Sequence, residues 1–149
     1  MNEAEMTRLV RRLALITNRM DGAYYLYARQ HGVNENALTL LYALDDGEPH
    51  SQKQVCEEWL MPKTTVNTIV RQLEAEGYLT LRHDEGRGRE KTLCLTPAGV
   101  AYARTVLRDI YAGENAAMAD TLAQYAPQFI DALERYTDAL CARFEAAGR

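Results

Sequence analysis

Residues 51–96 read SQKQVCEEWLM (51–61), PKTTVNTIVRQLEAEG (62–77) and YLTLRHDEGRGREKTLCLT (78–96). The order is a short helix, a tight turn, a second helix, and a hairpin with a Gly/Arg-rich tip. Ser51 is placed to cap the first helix by accepting an N–H bond, and Gln54 stands three residues on, where a capping box needs it. Val55, Trp59, Leu60 and Met61 bring apolar mass to that helix and the turn after it. Cys56 occupies a slot where a small, unbranched side chain lets two helices approach. Pro62 suits the first turn of the second helix, where its missing N–H costs nothing. In that helix Val66, Ile69, Val70 and Leu73 form the i, i+3, i+4, i+7 stripe of a buried face. Gly77 supplies the left-handed residue that ends it.

The opposite face of the second helix carries Lys63, Thr64, Thr65, Asn67, Thr68 and Arg71. These are short polar side chains and two cations, suited to a base edge or a phosphate. In the hairpin Leu79 and Leu81 alternate with Thr80 and Arg82, and Leu93 and Leu95 alternate with Thr92 and Cys94. Both arms therefore predict strands with one apolar face. The tip, Asp84-Glu85-Gly86-Arg87-Gly88-Arg89, offers guanidinium groups to a narrow minor groove, whose negative potential attracts them.

In this order and spacing the stretch is a winged helix-turn-helix, and it resembles the DNA-binding core of the MarR family. The resemblance is carried by Val55 to Met61, by Thr64-Thr65-Val66-Asn67, and by Leu73-Glu74-Ala75-Glu76-Gly77-Tyr78. Gly88-Arg89 and the closing Leu95-Thr96-Pro97-Ala98-Gly99 complete it. Two positions depart from the family pattern. Thr68 stands where much of the family has Arg, and Arg87 where the wing usually has an Asp bracing the Arg that matches Arg89. That Asp–Arg brace is then either lost or taken over by Asp84.

A chain of 149 residues suits one domain with a real hydrophobic core, and its 47% hydrophobic and 26% charged content is ordinary for a soluble globular protein. No apolar run approaches the roughly eighteen residues a membrane span needs, and the start MNEAEMTRL lacks a signal-peptide core. Three cysteines without a CxxC pair make neither a disulfide framework nor a zinc site, so reduced thiols and a cytoplasmic location are expected. The net charge of −4 opposes duplex DNA. Residues 51–96, however, balance Lys53, Lys63, Arg71, Arg82, Arg87, Arg89 and Lys91 against Glu57, Glu58, Glu74, Glu76, Asp84, Glu85 and Glu90. The acidic excess lies outside the stretch. A dipolar molecule still presents a basic face, with affinity that is moderate and strongly salt-dependent.

Residues 3–30 predict one long helix, with Met6, Leu9, Val10, Leu13, Ile16, Met20, Tyr24 and Tyr27 at near-helical spacing and His31-Gly32 as its stop. It presents more apolar surface than one neighbour covers, and the excess reads as a partner surface. Asn34 caps a second helix with Leu38, Leu40, Leu41, Tyr42 and Leu44 as core candidates, and residues 45–49 form a loop. Thr96-Pro97 starts a helix carrying Val100, Ala103, Leu107, Ile110 and Tyr111 up to about Gly113. Pro127 breaks or restarts the chain, and Phe129, Leu133, Tyr136, Leu140 and Phe144 mark a last amphipathic helix.

The expected fold is mainly α with a small β-hairpin wing (α+β): a single domain over 1–149. Its winged helix-turn-helix core spans 33–96, and residues 3–31 and 97–147 are dimerisation helices. What the resemblance implies is a homodimer whose terminal helices interdigitate. Its two recognition helices would then meet successive major grooves of a pseudo-palindromic site. The expected function is a DNA-binding transcriptional regulator, a repressor on double-stranded DNA released by a small aromatic or anionic effector. Ser51, Lys53, Lys63, Thr64, Thr65, Asn67, Thr68, Arg71, Arg87 and Arg89 are the candidate DNA contacts. Tyr24, Tyr27, His31 and Tyr42 are the candidate effector contacts. The competing reading is a winged-helix protein-interaction module without sequence-specific DNA binding, motivated by Thr68 and the balanced charge of the core. Cys56, Cys94 and Cys141 read as structural cysteines, Trp59 as a packing anchor, and the scattered His31, His50 and His83 as no metal site. With no GxSxG, no phosphate-cradling loop and no His/Cys/carboxylate cluster at ligand spacing, no enzyme, cofactor or metal is expected.

Overall fold

The computed structural model describes residues 2–83 and 91–148, with only the backbone of His83. Helix α1 (Glu3–Gln30) opens the chain. It is followed by α2 (Glu35–Leu44), β1 (His50–Ser51), α3 (Gln52–Glu58), α4 (Lys63–Ala75), β2 (Leu79–His83) and β3 (Lys91–Leu95), then α5 (Pro97–Leu122) and α6 (Gln128–Ala147). No helix among the described residues is long and apolar enough to cross a membrane. The chain divides into two compact units, Met1–Leu107 and Arg108–Arg149.

In the first unit the helix ends follow local chemistry. Asn2 Oδ1 accepts from the Glu5 N–H and the Asn2 N–H donates to Glu5 Oε2, both at 2.9 Å, which is a complete capping box for α1. Gly32, at φ +64°, turns the chain after its last turn. Asn34 caps α2 through the Ala37 N–H at 3.1 Å. The predicted capping box of α3 forms by half. Ser51 Oγ accepts from the Gln54 N–H at 3.1 Å, but the Gln54 amide turns outward to Glu58 Oε1, a partner one helical turn along the exposed face. Pro62 is not inside the first turn of α4 as predicted. It is the N-cap, extended at ψ 134°, and its carbonyl accepts from the Val66 N–H.

The turn between α3 and α4 holds a feature that the sequence concealed. Leu60 is left-handed at φ +50° and 88% exposed, while the Met61 N–H reaches back to the Cys56 carbonyl at 3.1 Å. This is a Schellman-type helix end with leucine at the position glycine favours. Leu60 therefore adds no apolar mass to the interior, and Trp59 stays 41% exposed, meeting Tyr42 edge-on at 5.6 Å. Met61 is buried.

The sheet is antiparallel in the order β1-β3-β2, with Leu79 opposite Leu95, Leu81 opposite Leu93, and His50 opposite Leu93. Strand β1 was not foreseen, because two residues carry no periodicity. It makes β3 the central strand, and this breaks the alternation expected there. Thr92 is buried together with its cross-strand partner Ser51, instead of facing solvent. The core gathers Leu40 and Leu41 of α2, Val55 of α3, Val66, Val70 and Leu73 of α4, Leu79 and Leu93 of the sheet, and Ala103 and Leu107 of α5. Each large aliphatic side chain so buried stabilises the fold by about 1.5–3 kcal/mol.

One junction ties the end of α4 to the start of α5. Gly77, at φ +76°, lets the Tyr78 N–H reach the Leu73 carbonyl (2.8 Å) and its own N–H reach Glu74 (3.0 Å), a Schellman motif. Thr96 then donates its hydroxyl to the Gly77 carbonyl at 2.7 Å, accepts from the Gly99 N–H at 3.0 Å as the N-cap of α5, and bonds Tyr78 O through its backbone. Tyr78 and Tyr102 stack over the junction with centroids 4.4 Å apart. Burial, with Glu76 and Tyr78 adding to it, holds the Tyr102 phenol above its ordinary pKa.

The second unit contains the remainder of α5, from Arg108, and α6. Helix α5 passes through Gly113 to Leu122, beyond the end expected from the sequence. Gly113 has ordinary helical φ, and an interior glycine costs only about 1 kcal/mol, too little to stop a helix. Helix α6 buries no residue. Phe129, Ile130, Tyr136, Leu140 and Phe144 are 36–69% exposed along it.

Candidate nucleic-acid interface

The buried stripe of α4 fixes which side chains face outward. Lys63, Thr64, Thr68 and Arg71 are exposed, and Thr65 and Asn67 are half-buried at the edge of the same face. Thr68 donates its hydroxyl to the Thr64 carbonyl at 3.0 Å, so its proton is spent inside the helix and its oxygen and methyl are presented. Asn67 is oriented from outside its own helix. Gln52 Nε2 donates to Asn67 Oδ1, a bond that does not use the Asn67 amide protons. Lys53, one residue further on α3, makes a long exposed pair with Glu57 at 3.8 Å. Ser51 is only 5% exposed and its hydroxyl caps α3, so of its two predicted roles it fills the structural one. Arg87 and Arg89, with Asp84, lie outside the described residues.

Sequence reasoning missed two residues. Gln52 sets the Asn67 rotamer, and Lys91 at the start of β3 closes a groove of about 430 Å³. There Gln52, Lys53, Cys56 and Glu57 of α3 face Lys63 and Asn67 of α4. No periodicity brings Gln52 against a residue fifteen positions away; only the turn at Leu60 does.

The four candidate effector contacts fall into three settings, with Tyr27 and His31 sharing one. Tyr27 donates its hydroxyl to the Val106 carbonyl at 3.0 Å and stacks on His31 with centroids 4.0 Å apart. Tyr42 packs against Trp59, and Tyr24 is 38% exposed on α1. Cys56 and Cys94 are half-buried, Cys141 is exposed, and all three are free thiols. Among the described residues no group of three His, Cys, Asp or Glu side chains is placed to hold a metal ion.

A helix-turn-helix with a third helix in front, a three-stranded sheet leading into a wing, and long helices at both ends define the class: a winged-helix protein. Residues 31–90, which hold the helix-turn-helix and most of the hairpin, match the model of the MarR family. The chain is 25% identical to NMB1585, a MarR family regulator from Neisseria meningitidis, over 99% of this chain and 96% of that one, with a TM-score of 0.71. The fold is shared with the MarR family transcriptional regulator SPO1453 from Silicibacter pomeroyi (21% identity, 89% and 94% covered, TM-score 0.69). It is also shared with overoxidized AbfR bound to DNA (15% identity, 96% and 99% covered, TM-score 0.63). No curated protein matches the sequence.

Proposed function

We propose that the protein is a homodimeric transcriptional repressor that binds a pseudo-palindromic operator through α4 and the wing and is released by a small effector. The observation that carries the DNA contact is the outward face of α4. Lys63, Thr64, Thr68 and Arg71 stand exposed opposite a fully buried stripe, with no ion-pair partner for either cation among the described residues. Cations left unpaired on a helix face are available to phosphates, and the short polar groups between them to base edges. AbfR, a protein of the same fold, is bound to DNA in its crystal structure, which supports DNA as the partner. Arg87 and Arg89 extend the footprint into the adjacent minor groove.

Two features support the dimer. Met6, Leu9, Val10, Ile16 and Met20 on α1 and Phe129, Ile130, Leu140 and Phe144 on α6 are large apolar side chains that a single chain leaves 36–69% exposed. A soluble monomer rarely carries patches of that kind. Charge favours the same pairing. Helix α1 holds Arg8, Arg11, Arg12, Arg19 and Arg29 against Glu3, Glu5 and Asp21. Residues 108–149 hold seven acids against four arginines, so one protomer's α1 suits its partner's C-terminal helices. The effector, a small aromatic or anionic molecule contacting Tyr24, Tyr27, His31 or Tyr42, would act only through different affinities for two dimer geometries.

Selection of duplexes from a random DNA pool at near-physiological salt tests the reading. Enrichment of half-sites about ten base pairs apart is expected. Failure to enrich any sequence, with bulk binding lost at modest salt, would favour the second reading. That reading is an interaction module whose Thr68 hydroxyl is tied to its own helix and whose core charge balances to zero.

A further inference from the structure

The groove between α3, α4 and β3 has a composition that DNA binding alone does not require. Its volume of about 430 Å³ lies within the range of small-molecule sites. Three lysines line it, Lys53 from α3, Lys63 from α4 and Lys91 from β3, against one carboxylate residue, Glu57. That carboxylate is already paired with Lys53, while neither Lys63 nor Lys91 has an ion-pair partner among the described residues. Gln52 of α3 and Asn67 of α4 both line the groove, and because Gln52 Nε2 donates to Asn67 Oδ1, that bond leaves the Asn67 amide protons unused as neutral donors. Like charges gathered from three elements repel one another, and a multivalent anion seated among them removes that repulsion and gains charge-assisted hydrogen bonds.

We propose that this groove binds a small polyanion carrying phosphate or paired carboxylate groups, and that its occupancy excludes DNA directly. The second half rests on the proposed DNA reading, because Lys63 and Asn67 belong to both the groove and the α4 face. An anion there occupies the cation a DNA phosphate needs, so the two ligands compete for one site. Repositioning of the two halves of a dimer is not involved. Free anion and backbone phosphate share this chemistry, and the experiment separates them.

Inorganic pyrophosphate is titrated calorimetrically into the full-length protein, without DNA, at constant ionic strength. The titration is repeated on a Lys63→Gln/Lys91→Gln variant and on an Arg104→Gln/Arg108→Gln variant, a charge-matched control from the exposed side of α5. Saturable binding of one pyrophosphate per chain is expected, weakened at least about tenfold in the double variant and unchanged in the control. Circular dichroism verifies that each variant is folded. Absence of saturable binding, or equal binding by wild type and double variant, overturns the site. If pyrophosphate fails to bind while the double variant loses about two units of the salt dependence of DNA affinity, the groove serves the DNA backbone and the free-anion proposal falls. Pyrophosphate that binds without weakening DNA binding at constant ionic strength overturns the competition. Because the first titration contains no DNA, a failure of the DNA reading leaves it intact and is seen separately.

Discussion

Gly99 shows how one residue can hold two elements in register. A Cβ built there would lie 1.8 Å from the Tyr78 carbonyl oxygen, a backbone atom fixed by its own bond to the Thr96 N–H. Alanine cannot be accommodated unless the start of α5 moves off the end of α4. Gly99→Ala is expected to destabilise the fold by about 3 kcal/mol or more, measured by urea unfolding, which places it among the severe overpacking changes. The glycine was visible in the sequence as part of the closing Leu95–Gly99 motif, but the reason for it was not. A contact between residues 78 and 99 exists only once the hairpin has folded back. Leu60 is the opposite case. Nothing in its side chain announces a left-handed conformation, because the helix end, and not the residue, demands it.

At the scale of the element, α4 is read directly from its pattern, since its 3.6-residue apolar stripe leaves the polar face no other orientation. Arg71 lies on that face, exposed. Arg71→Ala is expected to weaken DNA binding across sequences and to reduce the slope of log K against log salt by about one per chain, measured by fluorescence anisotropy over a salt series. Strand β1 has a titratable anchor. His50 Nε2 sits 2.9 Å from both Asp46 carboxylate oxygens. The Glu48 N–H, and next the His50 bond, hold the Asp46 carboxyl below its ordinary pKa. A carboxyl depressed in the folded state contributes stability that is fully present above its unfolded pKa of about 3.9 and is lost as pH falls through the folded value. Thermal unfolding between about pH 5 and pH 2 is therefore expected to show a smaller acid-induced decrease for Asp46→Asn than for wild type. Asp46 is largely exposed, so the difference should be modest.

For the whole molecule, the unpartnered apolar faces of α1 and α6 are the strongest statement. If the proposed dimer forms, Leu140→Glu combined with Phe144→Glu places carboxylates in a desolvated interface. Sedimentation equilibrium should then report a monomer where wild type gives twice the 16.8 kDa chain mass. The melting temperature of the wild type should also rise with protein concentration, and that of the variant should not. A wild-type monomer would remove the proposed dimer together with the spacing of its half-sites.

The order of the helices and of the β2–β3 hairpin, the limits of α1, the buried stripe of α4, the cap at Asn34 and the polar face with Thr64, Asn67 and Arg71 were legible in the sequence. Each follows from periodicity or from a capping side chain acting within a few residues of itself. What only the tertiary structure decided lies in pairings between distant segments. These are strand β1, the burial of Thr92 beside Ser51, the support of Asn67 by Gln52, and the arrival of Lys91 beside Lys53 and Lys63. Such contacts depend on how the turn at Leu60 and the hairpin bring remote residues together, and local propensity contains no information about distance through space.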